Sequence, residues 1–191
     1  DDAVAKLTAL RDAGVKTIVD PTVVGLGRYI PRIQEVCAKV PGLNVVVATG
    51  CYTYKDVPFF FHHRGPALNE ALGIEVPDPM VDMFVGDIEL GIAGTGVRAG
   101  ILKCAIDEPG LTTGVERIMR AVAKASLATS TPIAVHTHPE SQQGLVVDGI
   151  MRDEGVDPSM VVLGHSGDTT DADHLSALAE QGFWLGMDRF G

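Results

Sequence analysis

Lys103 closes the run Gly100-Ile101-Leu102-Lys103, which is apolar up to the lysine. A lysine in that setting either snorkels out of a strand end or sits desolvated. In the second case its pKa falls, and the amine is free to act as a nucleophile or to be carboxylated. Carboxylation turns a cation into an anion that can bridge two divalent cations. His136 and His138 stand at i and i+2, so on a strand both point to one face, a sensible chelate for zinc and its neighbours. Taken singly, a histidine satisfied within the structure is commoner than a ligand. His165 follows Met160-Val161-Val162-Leu163-Gly164 and precedes the turn Ser166-Gly167-Asp168-Thr169, which sets its imidazole at a strand terminus. Asp168 is either the N-cap of the next helix or an acceptor behind a metal-bound histidine. His62 and His63 read as exposed after an apolar loop, and His174 as a helix-surface residue. Gly94-Thr95-Gly96 has the composition of a phosphate loop but precedes a strand instead of linking strand to helix, and is set aside.

These side chains act together only if the elements that carry them end at one place. Short β-branched runs alternate with longer amphipathic stretches along the whole chain. Strands are expected at 16–20, 43–49, 100–105, 133–138, 160–165 and 182–187. Helices are expected at 6–13, closed by Gly14, then at 30–39, 78–92, 114–128, 144–154 and 172–180, with an aromatic loop over 52–61. Near-continuous Val/Ile/Leu strands, each followed by a helix, describe a parallel sheet covered on its outer face. With no hairpin signal, the pattern fits a (β/α)₈ TIM barrel better than an open sheet. Such a barrel has eight units in about 250 residues. Six strands in 191 residues therefore read as strands 2–7, with the first and last units missing from a single domain spanning 1–191. In this fold chemistry collects at the carboxyl ends of the strands. Here those ends read Asp20, Gly50-Cys51-Tyr52, Lys103, His138, His165 and Asp188-Arg189.

Composition excludes several function classes. A net charge of −10 argues against nucleic acid and an anionic membrane surface as partners, because both select basic faces. The apolar runs are too short to span a bilayer. Three widely spaced cysteines, Cys37, Cys51 and Cys104, form no CxxC, so neither a disulfide framework nor a thiolate zinc site is expected, and a reducing, cytoplasmic setting is the default.

Several motifs occur in order: Thr49-Gly50-Cys51-Tyr52, Gly100-Ile101-Leu102-Lys103-Cys104-Ala105, Thr137-His138, Gly164-His165-Ser166-Gly167-Asp168-Thr169 and Gly186-Met187-Asp188-Arg189-Phe190-Gly191. Together they resemble the phosphotriesterase family of the amidohydrolase superfamily, and more closely its lactonase-like branch. The resemblance implies two divalent metals at the barrel mouth, with zinc expected and iron, cobalt or manganese as alternatives. It implies a carboxylated Lys103 bridging them, with His138 and His165 as ligands of one metal. A His-x-His pair on the first strand and an aspartate on the eighth would complete the set, and neither is in this sequence. His136 stands where a smaller residue is usual, and is read as a group behind the ligands. Tyr52 looks like the tyrosine that meets the bridging hydroxide and substrate, and Arg189 like a residue that holds substrate near the metals. Trp184 is read as core. The implied reaction is hydrolysis of lactones, with organophosphate triesters as a side activity. Cyclic-amide hydrolysis and a non-catalytic barrel with a decayed site are the alternatives. A small-molecule ester substrate and a homodimer are the implied partners.

Overall fold

The computed structural model describes residues 2–189, so Asp1 and the Phe190-Gly191 end of the last motif lie outside the described residues. The elements in chain order are α1 (Asp2–Asp12), β1 (Thr17–Asp20), α2 (Ile30–Ala38), β2 (Asn44–Gly50), α3 (Phe59–His62), α4 (Asn69–Leu72), α5 (Pro79–Glu89), β3 (Ile101–Ile106), α6 (Thr113–Thr129), β4 (Ile133–Thr137), α7 (Gln143–Glu154), β5 (Val161–Gly164), α8 (Ala172–Glu180) and β6 (Trp184–Leu185). The six strands form one sheet in the order β1-β2-β3-β4-β5-β6, every neighbouring pair parallel. This is the arrangement expected of strands 2–7 of a (β/α)₈ barrel. No described helix is long and apolar enough to cross a membrane.

Register divides the sheet into two chemically distinct faces. Leu102 pairs with Ile133 and Ile133 with Val161, while Cys104 pairs with Val135 and Val135 with Leu163. These residues are fully buried and share a core with Ile118, Met119 and Val122 of α6 and Val147 and Met151 of α7. Each such aliphatic side chain taken from water contributes roughly 1.5–3 kcal/mol. Side chains alternate along a strand, so the other face carries Lys103, Ala134, Val162 and Trp184 in one row and Ala105, His136 and Gly164 in the next. Trp184, expected in the core, is 64% exposed on this second face, and Val19 is 50% exposed. Both lie on the sheet's edge strands, which have no further neighbour among the described residues.

Local signals hold the helices in place. Thr112 caps α6 by accepting from the Val115 N–H at 3.2 Å, and Asp171 caps α8 through the His174 N–H at 3.0 Å. Asp78 caps α5 at Met80 and also receives the Arg117 guanidinium at 2.6 Å. Because Arg117 further donates to the Phe61 and Arg64 carbonyls, it ties the excursion carrying α3 to α6. Arg28 donates to Asp87 and to the Ala48 carbonyl, and the Thr49 hydroxyl donates to the same Asp87 carboxylate. That buried network fastens the segment after β1 to β2 and α5. The Asp168 N-cap expectation is corrected, since Asp171 takes that role. His174 is likewise not a surface residue; it is buried on α8.

Candidate functional site

Gly50 and Lys103 face each other across β2 and β3, and the Cys51 N–H donates to the Lys103 carbonyl at 3.1 Å. Gly50 has φ +134°, and a Cβ there would overlap that carbonyl oxygen, so only glycine permits the close approach. Lys103 lies within β3, three residues before its end, with Ala105 and Ile106 continuing the strand. It is 8% exposed, and burial lowers its ammonium to about 8 despite the opposing influence of Cys104 and Asp188. The uncharged amine is therefore reached at a lower pH than for a solvated lysine. Tyr52 brings its ring centroid to 6.0 Å from Lys103 Nζ and 5.2 Å from the His136 ring. Burial, followed by the hydrogen bond that its O–H gives to Tyr54, raises the Tyr52 phenol, so it stays a neutral O–H donor.

His136 occupies the centre of the inner face. Its ring centroid is 4.7 Å from that of His165, and Lys103 is near enough to act on its charge. Its Nε2 meets Asp107 Oδ2 in a very short contact. Burial lowers the imidazole pKa and outweighs the pull of Asp107. Burial pushes the Asp107 carboxyl up, but the Glu108 N–H and His136 hold it below the usual range. A neutral ring donating Nε2–H to an ionised Asp107 satisfies both, and leaves Nδ1 as the lone pair. His165 adopts a left-handed backbone, φ +64°, stabilised by Asp188 Oδ1, which accepts from both His165 N at 3.0 Å and Nδ1 at 2.9 Å. Among the described residues, no hydrogen bond engages His165 Nε2. Carboxylates behind imidazoles are the usual way to fix a metal-binding tautomer.

The predicted residues divide as follows. Lys103, His165 and Tyr52 gather with His136, and Arg189 lies near enough to Tyr52 to affect its phenol. Arg189 donates to Asp168 at 2.6 Å, the role that Asp168 has in place of capping. His138 stands one residue past β4; its Nδ1 engages Ser141 Oγ at 2.9 Å, and its electrostatic influence falls on Asp107. Sequence reasoning did not single out Asp107, which the structure sets against His136. For His136 the signal available was register: it pairs with Ala105, two residues along the strand from Lys103 on the same face. His136, His138, Glu140, Asp107, Asp168 and Arg189 line a cleft of about 300 Å³. A larger groove of about 1040 Å³ lies between the excursion after β2 and α6, where Asp78 neutralises Arg117 and Glu116 neutralises Arg120. The smaller cleft is the one that carries His136 and His138, together with Asp107 and Arg189.

Among the described residues no three histidine, cysteine, aspartate or glutamate side chains converge as a ready cation site. The donor chemistry present suits a divalent cation: two imidazoles with oriented rings, beside a buried amine whose ammonium burial disfavours.

A model of the phosphotriesterase family matches residues 2–191. The chain is 58% identical over 189 residues to the phosphotriesterase homology protein of Mycobacterium tuberculosis, covering 99% of this chain and 56% of that protein. It is 43% identical over 190 residues to the aryldialkylphosphatase of Saccharolobus solfataricus, covering 100% and 57%. The N-acetyltaurine hydrolase of Danio rerio is 27% identical over 188 residues, covering 97% and 50%. The solved structure of the phosphotriesterase from M. tuberculosis superposes with a TM-score of 0.92 at 57% identity, over 98% of this chain and 56% of that one. The chain thus spans about half the length of the curated relatives it matches. Because sequence and fold agree over nearly every residue, with Lys103 and His136 on one sheet face and His165 against the His136 ring just past β5, the chain belongs to the phosphotriesterase family.

Proposed function

We propose that this chain carries the lysine-and-histidine part of the metal centre of a hydrolase that opens lactones and, as a side activity, cleaves organophosphate triesters. The observation that carries this reading is the buried Lys103 amine, lowered to about 8 beside two carboxylate-oriented imidazoles. Lys103 would be carboxylated: its neutral amine adds to carbon dioxide, the N–C bond forms, and the released proton leaves to solvent. The product is an anion suited to two divalent cations, zinc first. His165 Nε2 and His136 Nδ1 would be the imidazole donors. His136 takes the ligand role first assigned to His138, because His136 shares the inner face with Lys103 while the His138 ring is engaged by Ser141. When bound, such metals lower the pKa of water and polarise a carbonyl or phosphoryl oxygen.

The chain's own residues set the surroundings. Asp107 and Asp188 hold the two rings against rotation. The Tyr52 phenol, kept protonated, donates to negative charge that develops on the substrate oxygen. Arg189, anchored by Asp168, presents its guanidinium at the cleft and favours an electron-rich carbonyl or phosphoryl group there.

Amide hydrolysis is the second reading, supported by the N-acetyltaurine hydrolases among the relatives. The discriminating experiment assays a γ-lactone, a dialkyl aryl phosphate triester and an N-acetylated amine with zinc and bicarbonate supplied. The expected order is lactone first, triester second and amide last, with all turnover removed by a chelator and by Lys103→Ala. Turnover that survives both treatments would overturn the metal mechanism, and amide as the best substrate would favour the second reading.

A further inference from the structure

Tyr52 stands past the end of β2, and its backbone is held from the segment after β1. The pairing of β2 with β3 ends at Gly50 and Lys103, and the Cys51 N–H still reaches the Lys103 carbonyl at 3.1 Å. The next N–H, that of Tyr52, donates instead to the Val24 carbonyl at 2.8 Å. Val24 and Cys51 form a parallel bridge there, and a Cβ on Gly25 would overlap the Tyr52 carbonyl oxygen. Val24 and Gly25 therefore grip the Tyr52 peptide, and the position of their segment sets where the Tyr52 Cα stands. That segment carries two glycines in the left-handed region, Gly25 at φ +97° and Gly27 at φ +81°. Its own backbone preferences define its path weakly.

One carboxylate supplies the definition. Arg28 donates through Nη1 to the Ala48 carbonyl at 2.9 Å and through Nη2 to Asp87 Oδ2 at 2.9 Å. The Thr49 hydroxyl donates to the same Oδ2 at 2.7 Å, and Thr49 is fully buried. Asp87 thus holds β2 just before Tyr52 and the gripping segment just after Gly25. Its backbone carbonyl accepts the Ala99 N–H at 3.0 Å, which fastens α5 to the approach to β3, the strand that carries Lys103. The Arg28 and Asp87 side chains are only 11% and 10% exposed. Burying an ion pair costs so much desolvation that apolar residues of similar volume often stabilise as well or better. Stability alone is therefore a weak reason for this pair, and direction is what its hydrogen bonds add.

We propose that Asp87 is a positioning residue for Tyr52. Through Arg28 and Thr49 it fixes the spacing between β2 and the segment after β1. That spacing sets the Tyr52 ring 6.0 Å from Lys103 Nζ and 5.2 Å from the His136 ring. On the hydrolytic reading above, on which only the use of the phenol rests, the Tyr52 O–H is thereby aimed at the substrate oxygen.

Two neighbouring amides give the test its internal control, since Cys51 N–H is held by β3 and Tyr52 N–H by the segment after β1. In the metal-free, ¹⁵N-labelled chain, Asp87→Asn should raise the hydrogen-exchange rate of Tyr52 relative to that of Cys51 by about tenfold. General loss of stability accelerates both amides together, and a ratio within about twofold of wild type overturns the positioning role. Arg28→Lys offers one nitrogen where the guanidinium offers two, so a smaller rise in the same ratio is expected. If Asp87→Asn does not fold, Arg28→Lys carries the test alone, and an unchanged ratio in it overturns the proposal. In turnover of a γ-lactone with zinc and bicarbonate, Asp87→Asn should lower kcat as far as Tyr52→Phe does, with KM within about twofold. Added to Tyr52→Phe, it should cost nothing further. Additive losses mean that Asp87 acts by another route, and overturn the proposal. Wild type without lactone turnover, but with the selective exchange response, defeats the reaction assignment and leaves the positioning role standing.

Discussion

Lys103 concentrates the site's chemistry into one titration. Its ammonium is lowered to about 8 by burial, against about 10.4 for an unfolded lysine. The folded chain therefore binds fewer protons than the unfolded chain between those values, and its stability rises with pH across that window. Below about pH 8 both states are protonated and the cost of burying the cation is fully present. In metal-free protein, Lys103→Met should gain ~2–3 kcal/mol at neutral pH, a gain that disappears as pH approaches about 10.4. Urea unfolding of both proteins across this range checks the prediction, and a loss of stability in the variant at neutral pH would contradict it. Of the two readings the sequence offered for Lys103, a snorkelling lysine and a desolvated amine, the structure shows the desolvated one. The choice between His136 and His138 was not legible in the sequence, since residues at i and i+2 share a face. What favours His136 in the proposed ligand set is where β4 stops, at Thr137, and the engagement of the later ring by Ser141.

At the scale of elements, the alternation of strands and helices was readable almost throughout, because each strand is a short Val/Ile/Leu run and each helix has a start or stop signal. The misread residues lie where one element's environment depends on another. His174 has no helical pattern of its own to announce burial, yet the packing of α8 encloses it. Asp168 resembled a cap until Asp171 proved to hold the His174 N–H and Arg189 to hold Asp168. Asp78 joins two jobs, capping α5 and pairing with Arg117, whose side chain is only 15% exposed. Asp78→Ala should cost about 3–4 kcal/mol, roughly 1 from the cap and the rest from a half-buried guanidinium left without its partner. Asp78→Asn keeps a capping oxygen and should fall between the two. Chemical denaturation that ranks Asn below Ala, or leaves Ala within about 0.5 kcal/mol of wild type, would contradict this division.

Across the whole molecule, the parallel sheet runs in chain order with a packed outer face and a polar-centred inner one. The exposure of Trp184 and Val19 was hidden from sequence reasoning, which treats an apolar strand residue as core wherever it falls. Only the register shows that both lie on the inner face of edge strands. The central claim, that Lys103, His136 and His165 hold a divalent metal, is tested most directly by equilibrium dialysis of the chain against zinc with bicarbonate, followed by metal analysis. The account predicts zinc retained by wild type and by His138→Ala, and lost in Lys103→Ala, His136→Ala and His165→Ala. Retention by Lys103→Ala equal to wild type, or loss in His138→Ala with retention in His136→Ala, would contradict it.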